Sequence, residues 1–348
     1  TYELQVSSDK NGNGSGKNFA SVKIFIDKPF WQKTWFIVLA LLLVPVAILG
    51  LIRLQTLSLL KMNKRLQKLV GEKTALLEEE KESVSRINLE LQSKSKDITD
   101  SIEYAKRIQL AILPDLSILD EHFPENFVFY LPRDIVSGDF YWFAQKDSQF
   151  IIALVDCTGH GIPGAFMSMI GSTLLNKIVY DYEITNPSDI LSCLNKEINI
   201  ALHQEESADS SHDGMDIALC VIDKEESKLT FAGAGRPLMI LRKGELLEYK
   251  TNKGGIGGVY NSIFPVFEEI EIPLEKSDSI YLFSDGFADQ FSSETSTKYS
   301  SKRMRALLTG ISHLPMNEQG KRVHDAFFEW KGDEFQFDDV LFMGFNFC

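Results

Sequence analysis

Four apolar segments of this chain carry aspartate at their margins. They are Gly138-Asp139-Phe140-Tyr141-Trp142, Ala153-Leu154-Val155-Asp156-Cys157, Leu282-Phe283-Ser284-Asp285-Gly286 and Phe337-Asp338-Asp339-Val340-Leu341. Aspartate is disfavoured in strands, and beside a buried sheet it needs a partner. Taken singly, each is more often a turn former or a helix cap than a ligand. Four in one domain make a different case. If the strand ends converge, the acids hold together only with protons or with hard cations between their oxygens. Oxygen donors without Cys or His suit Mg2+ or Mn2+ rather than zinc. Two such ions about 3.5–4 Å apart bind a phosphoryl group and turn a bridging water into hydroxide for in-line attack.

Asp156 has the most informative surroundings. The apolar run Ile151, Ile152, Ala153, Leu154, Val155 stops at this acid, a glycine-rich turn follows through Gly164, and an apolar segment with helical spacing comes next. A buried strand that delivers a carboxylate to its end, then a turn and a helix, builds a site at a sheet edge. His160 lies in the turn and is a candidate general acid for the leaving oxygen; the competing reading is a turn histidine holding backbone carbonyls. Arg133 is a candidate contact for the substrate phosphate, with a surface role as the alternative. Asp216, in DGMD, either faces the site or caps its loop. Gly233, Gly235, Gly254, Gly255, Gly257 and Gly258 mark turns. No lysine-threonine pair or helix follows them, so a nucleotide loop is a poor reading.

The elements that would position these residues lie in residues 115–348. Strands are expected at 127–131, 139–143, 150–155, 217–222, 229–232, 238–241, 267–272, 280–283 and 340–345. Helices are expected at 165–182, 188–204, 302–308 and 317–330, and EESADSSHDG (205–214) reads as a polar loop. Short strands in hairpin-like pairs predict packed sheets flanked by helices rather than a doubly wound parallel sheet.

Upstream, residues 1–30 alternate at Tyr2, Leu4, Val6 and at Val22, Ile24, Ile26 around an Asn/Gly/Ser turn from Asn11 to Gly16. They read as the last two strands of an extracytoplasmic β-sandwich sensor domain. The chain begins at Thr1, as a fragment of a longer protein would. Residues 34–53 are expected to form a transmembrane helix. No charge occurs from Trp35 to Ile52, roughly 27 Å of helix, with Trp31 and Trp35 as interface anchors. A buried core helix or a signal-peptide core are the alternatives. Arg53, Lys61, Lys64, Arg65 and Lys68 follow the span and Lys23, Lys28 and Lys33 precede it. The balance puts the C-terminal side in the cytoplasm. Residues 54–113 are expected to form a coiled-coil signalling helix. Val84, Leu91, Ile98, Ala105 and Ile112 recur every seventh residue, with Ile87 and Ile108 at the second seam position. Lys73, Glu80, Lys94 and Ser101 interrupt the seam, so pairing is metastable. A parallel homodimer is favoured over a single amphipathic helix lying on the globular domain.

The formal net charge of −13 argues against nucleic acid as the main partner. Cys157, Cys193, Cys220 and Cys348 show neither CxxC nor zinc spacing.

In order, SGDFYWF, LVDCTGHGIPGAFMSMIG, FAGAGRP, GGIGG, LFSDGF and FDDV resemble the SpoIIE-like branch of the metal-dependent (PPM-type) protein serine/threonine phosphatases. The lead-in SIEYAKRIQLAILP (101–114) is similar to the helix before that domain in bacterial membrane-bound members. The resemblance implies an α+β fold, a four-layer α-β-β-α sandwich, with two Mn2+ or Mg2+ ions between its sheets. The implied ligands are Asp139, Asp156 as the bridge, the Cys157 backbone carbonyl, Asp285, and Asp338 in preference to Asp339. The Cys157 thiol beside the metals would be a departure, as would Leu341 where threonine is usual. The implied function is a protein phosphatase of the inner membrane, single-pass with its catalytic domain in the cytoplasm. It would hydrolyse phosphoserine or phosphothreonine by attack of metal-bound hydroxide, under control of an extracytoplasmic signal. A phosphorylated anti-sigma factor antagonist is the partner that relatives suggest. The alternative is a catalytically weak or inactive receptor output domain that acts by binding partners. A histidine kinase is disfavoured, since no glycine-rich nucleotide box follows the coiled coil.

Overall fold

The computed structural model describes residues 2–8, 18–25, 27–204, 212–250, 252–258 and 266–347. The expected turn from Asn11 to Gly16, Ile26, and residues 205–211 of the polar loop lie outside the described residues. The chain divides into two compact units, Thr1–Gln92 and Ser93–Cys348.

In the first unit, β1 (Tyr2–Ser8) and β2 (Asn18–Ile24) pair antiparallel, with Tyr2 opposite Ile24. Helix α1 (Thr34–Ile112) begins here and continues without a break for 79 residues. Pro45 lies inside it. The part near the N-terminus is long and apolar enough to cross a membrane. Its leucines, among them Leu41, Leu42 and Leu49, are exposed.

In the second unit, the last turns of α1 are followed by α2 (Leu116–His122), β3 (Asn126–Leu131), β4 (Phe140–Lys146) and β5 (Gln149–Cys157). Helix α3 (Gly161–Asn176) then leads through one π-helical turn into α4 (Pro187–Ala201). Next come β6 (Gly214–Asp223), β7 (Lys228–Ala234), β8 (Leu238–Arg242), β9 (Glu245–Tyr249), β10 (Ile256–Gly257), β11 (Glu269–Pro273) and β12 (Ser279–Phe283). The chain closes with α5 (Gly286–Asp289), α6 (Ser301–Ile311), α7 (Met316–Lys331) and β13 (Val340–Asn346).

The strands form two antiparallel sheets. One has the order β11-β7-β6-β5-β4, with β10 added to β6; the other has the order β3-β13-β12-β8-β9. Period-two alternation sends each strand's side chains to two different cores. Ile152, Leu154, Ala218 and Cys220 of the first sheet pack with Ile240, Ile280, Leu282, Leu341 and Met343 of the second. The other face of the first sheet (Trp142, Ile151, Ala153, Val155) packs with Leu175 of α3 and Leu194 and Ile198 of α4. The other face of the second (Tyr281, Phe283, Phe342) packs with Leu308 of α6 and Val323 and Phe327 of α7. Each fully buried Val, Leu, Ile, Met or Phe among them contributes about 1.5–3 kcal/mol relative to exposure.

Several bounds differ from those expected, for local reasons. Helix α3 starts at Gly161 rather than at 165 because Pro163 sits in its first turn, where a missing N–H costs nothing. It ends at Asn176, where the Trp142 indole N–H donates to the Asn176 side-chain oxygen at 3.0 Å. Helix α2 was not expected; Asp115 caps it by accepting the Ser117 N–H at 2.9 Å. The edge strand β9 has no sequence signature because two glutamates interrupt its short apolar pattern.

Candidate metal and phosphate site

Antiparallel pairing brings the acidic strand ends together. Phe140 opposes Val155, and Asp156 opposes Asp216, so the start of β4, the end of β5 and the start of β6 share one edge of the first sheet. Phe283 opposes Phe342, which puts Asp285, just past β12, beside Asp338 and Asp339, just before β13. Hydrogen bonds join the two edges. The Gly138 and Arg133 backbone N–H groups each donate to the Asp339 carboxylate at 2.7 Å. The Asp285 N–H donates to Asp156 Oδ2 at 3.4 Å.

Asp139 and Asp339 are the buried members of this group. Among the described residues, the Asp139 Oδ2 has no hydrogen-bond partner. Burial, then the neighbouring Asp156 charge, holds its carboxyl well above the usual range. Asp156 is pushed up to about 7, chiefly by burial; Arg236 opposes the rise, while Asp285, Asp216 and Asp338 add to it. Burial also raises Asp338 and Asp216. Such a cluster of anions asks for protons or cations. The carboxylate donor set and the partnerless Asp139 oxygen fit a hard divalent ion. Among the described residues, however, no three acidic, imidazole or thiol side chains form a ready metal cage. The guanidinium of Arg236 stands against Asp156, Asp216 and Asp285 instead.

The pair Asp338-Asp339 divides its work. Both Asp339 oxygens are taken by backbone N–H groups, whereas the half-buried Asp338 carboxylate accepts, among the described residues, the Asp339 N–H. That leaves Asp338 the freer of the two to bind a cation. The Cys157 thiol packs in the core shared with α3 and α4, where burial, and after it the charges of Asp156, Asp139 and Asp339, pushes it far above its usual range. Asp156 and Cys157 are adjacent in a strand, so their side chains leave opposite faces.

His160 is the N-cap of α3, and its Nδ1 lies 3.0 Å from Asp134 Oδ2. Its partner is thus a carboxylate rather than the backbone carbonyls considered above. The Arg133 guanidinium is exposed and donates to the Phe337 carbonyl at 2.9 Å. Gln109, in the last turn of α1, is buried and donates to the Ser137 carbonyl at 2.6 Å and to Ser168 Oγ of α3 at 2.8 Å. Gln109 and Arg236 were not singled out in the sequence. For Arg236 the available signal was a cation after the glycines of FAGAGRP in an otherwise apolar stretch.

The profile of the family described as stage II sporulation protein E (SpoIIE) matches residues 146–347, more than half of the chain. The chain belongs to the SpoIIE family. The matched SpoIIE region contains Asp156, Asp285 and Asp338 and begins after Asp139. The chain is similar to the phosphoserine phosphatase RsbU of Bacillus subtilis (strain 168), 27% identical over 199 residues, 56% of this chain and 55% of that protein. It therefore spans about half the length of this curated relative. Among solved structures it is similar to the SiaA-PP2C domain of Pseudomonas aeruginosa. The two are 32% identical with a TM-score of 0.65, over 73% of this chain and 98% of that one. The PP2C domain of SpoIIE from Bacillus subtilis, solved with a regulatory fragment, is 16% identical with a TM-score of 0.51. That match covers 64% of this chain and 62% of that one, and it speaks for the fold alone. By sequence and fold, the second unit is a PP2C-type phosphatase domain of the SpoIIE family.

Proposed function

We propose that the chain is a membrane-tethered protein serine/threonine phosphatase whose acid cluster holds two Mn2+ or Mg2+ ions. The observation that carries this reading is the buried, partnerless Asp139 Oδ2, placed where two sheets bring Asp156, Asp285 and Asp338 together. Asp139, Asp156, Asp285, Asp338 and the Cys157 carbonyl would hold the ions. When bound, they would supply a nucleophile from water and neutralise phosphoryl charge. The chain's own residues orient and balance that centre. The ladder fixes Asp156 against Asp216, and Asp339 locks the Gly138 N–H, and with it the approach of Asp139. His160, whose ring lies against Asp134, would be the general acid that donates a proton to the leaving oxygen. Arg133 would reach the substrate phosphate only by leaving Phe337. The three apolar cores support a four-layer α-β-β-α reading of the domain.

The remaining parts form a relay. Residues 1–30 are the end of an outer sensor, 34–53 the single span of the inner membrane, 54–113 a homodimeric coiled coil, and 115–348 the cytoplasmic phosphatase. Gln109 ties the last turns of α1 to Ser137, two residues before Asp139. A helix shift on signalling would therefore move the Asp139 loop. The substrate would be a phosphorylated protein partner, of the anti-sigma factor antagonist kind.

The test is Mn2+-dependent hydrolysis of an aryl phosphate and of a phosphoserine protein by the full chain. Asp156→Asn should cost more than the roughly 10–100-fold typical of groups one layer outside a metal. Activity that survives excess chelator, or is equal in Asp156→Asn, would contradict the reading.

A further inference from the structure

Arg236 is the cation that the acids face, and the backbone is shaped to put it there. It enters from the loop between β7 and β8, and 14% of its side chain is exposed. Its Nη2 lies 2.9 Å from Asp285 Oδ2, 2.9 Å from Asp216 Oδ2 and 3.4 Å from Asp156 Oδ2. Its Nε also donates to Asp216 Oδ2, at 3.2 Å. Two guanidinium nitrogens therefore hold Asp216, while one reaches Asp156 and Asp285. Asp216 is the anchor of the group, directly across the ladder from Asp156.

Two glycines make room for that anchor. Gly235 has φ +78°, and a Cβ there would fall 2.3 Å from the Asp216 carboxyl carbon. At Gly255 a Cβ would fall 2.7 Å from Asp216 Oδ1. A side chain at either position would expel the carboxylate, and without it the guanidinium loses its firmest partner. Largely buried guanidinium groups need such fixed acceptors.

Arg236 touches Asp156 Oδ2 and Asp285 Oδ2, on two of the carboxylates assigned above to divalent ions. A guanidinium and a metal ion carry the same sign of charge, so they repel when they share these carboxylates at close range. We infer that Arg236, anchored by Asp216, is an internal counter-cation. It holds the acid cluster together in the metal-free protein and competes with divalent ions for Asp156 and Asp285. Metal loading weakens two of its ion pairs, while Asp216 keeps the guanidinium at the rim. The pair thereby sets the metal concentration at which the centre fills. Arg236 is a positioning residue in this account, and Asp216 is not a metal ligand. The inference rests on the metal-site reading given under Proposed function.

The experiment is calorimetric titration of Mn2+ into the full chain, with melting temperatures measured in chelator and in saturating Mn2+. Three proteins are compared: wild type, Arg236→Met, and the double variant Asp216→Asn/Arg236→Met, which removes the pair without changing net charge. Arg236→Met should bind Mn2+ on the order of tenfold more tightly. It should melt lower than wild type in chelator and gain more from Mn2+, as linkage requires. The double variant should also bind more tightly, and it keeps the test open if the single variant folds poorly. Equal or weaker Mn2+ binding by the folded variants overturns the inference. So does unchanged Mn2+ affinity with a raised KM, which would make Arg236 a contact for substrate phosphate. A wild-type chain that takes up no Mn2+ refutes the metal reading itself, and the inference with it.

Discussion

A buried carboxylate oxygen without a donor must take a proton or a cation to remain comfortably folded. Asp139 and Asp156 are both raised above the ordinary carboxylate range, Asp156 to about 7. In the metal-free protein the folded chain therefore binds more protons than the unfolded chain between about pH 4 and pH 7. Its stability should fall as pH rises through that window, because a raised carboxyl pKa favours the folded state only while it is protonated. Melting curves in chelator at pH 5 and pH 8 check the sign. Mn2+ should restore the loss at pH 8, and Asp156→Asn should flatten the dependence. At this scale the sequence was readable where the chemistry was unusual, as at aspartates bordering apolar runs. It showed Arg236 as no more than a cation after the glycines of FAGAGRP, because its partners come from β5, β6 and the end of β12, far apart in the chain. The side on which the Cys157 thiol lies followed from strand alternation, a two-residue rule that the sequence already contained.

Elements place these residues through close backbone approaches. A Cβ on Gly286 would lie 2.0 Å from the Asp339 carbonyl oxygen, so only glycine lets α5 start against the turn before β13. Gly286→Ala should destabilise the chain by about 1–3 kcal/mol through overpacking, and it should displace Asp285 relative to Asp338. Chemical denaturation together with Mn2+ affinity reads both effects; an unchanged midpoint and affinity would remove Gly286 from the account. Gly138 and Gly164 make a similar contact, since a Cβ on Gly164 would meet Gly138 Cα at 2.8 Å. The long strands and amphipathic helices were legible because apolar spacing of two or about 3.6 residues survives in their sequences. The short elements α2, α5 and β10 carry too few residues for any period to show. Their positions are fixed instead by caps and by partners distant in sequence.

At the scale of the whole molecule, α1 runs unbroken from an apolar stretch long enough to cross a membrane to Gln109 at the loop before Asp139. Its heptad positions Leu91 and Ile98 are exposed in the single chain, as a seam awaiting a partner would be. Single cysteines at Leu91 and at Ile98 should crosslink two copies in membranes. Absence of crosslinked dimers at both positions would refute the paired helix and leave the phosphatase domain untouched. The domain's family was readable from ordered motifs, whereas the relay rests on the upstream heptads and apolar span, which carry no chemistry of their own. The central claim is that the acid cluster is a two-ion centre. Its most direct test is the stoichiometry of Mn2+ bound by the full chain. The account predicts two ions per chain, reduced in Asp139→Asn and lost in Asp156→Asn. A chain that binds none, or binds the same number when Asp156 is replaced, would contradict it.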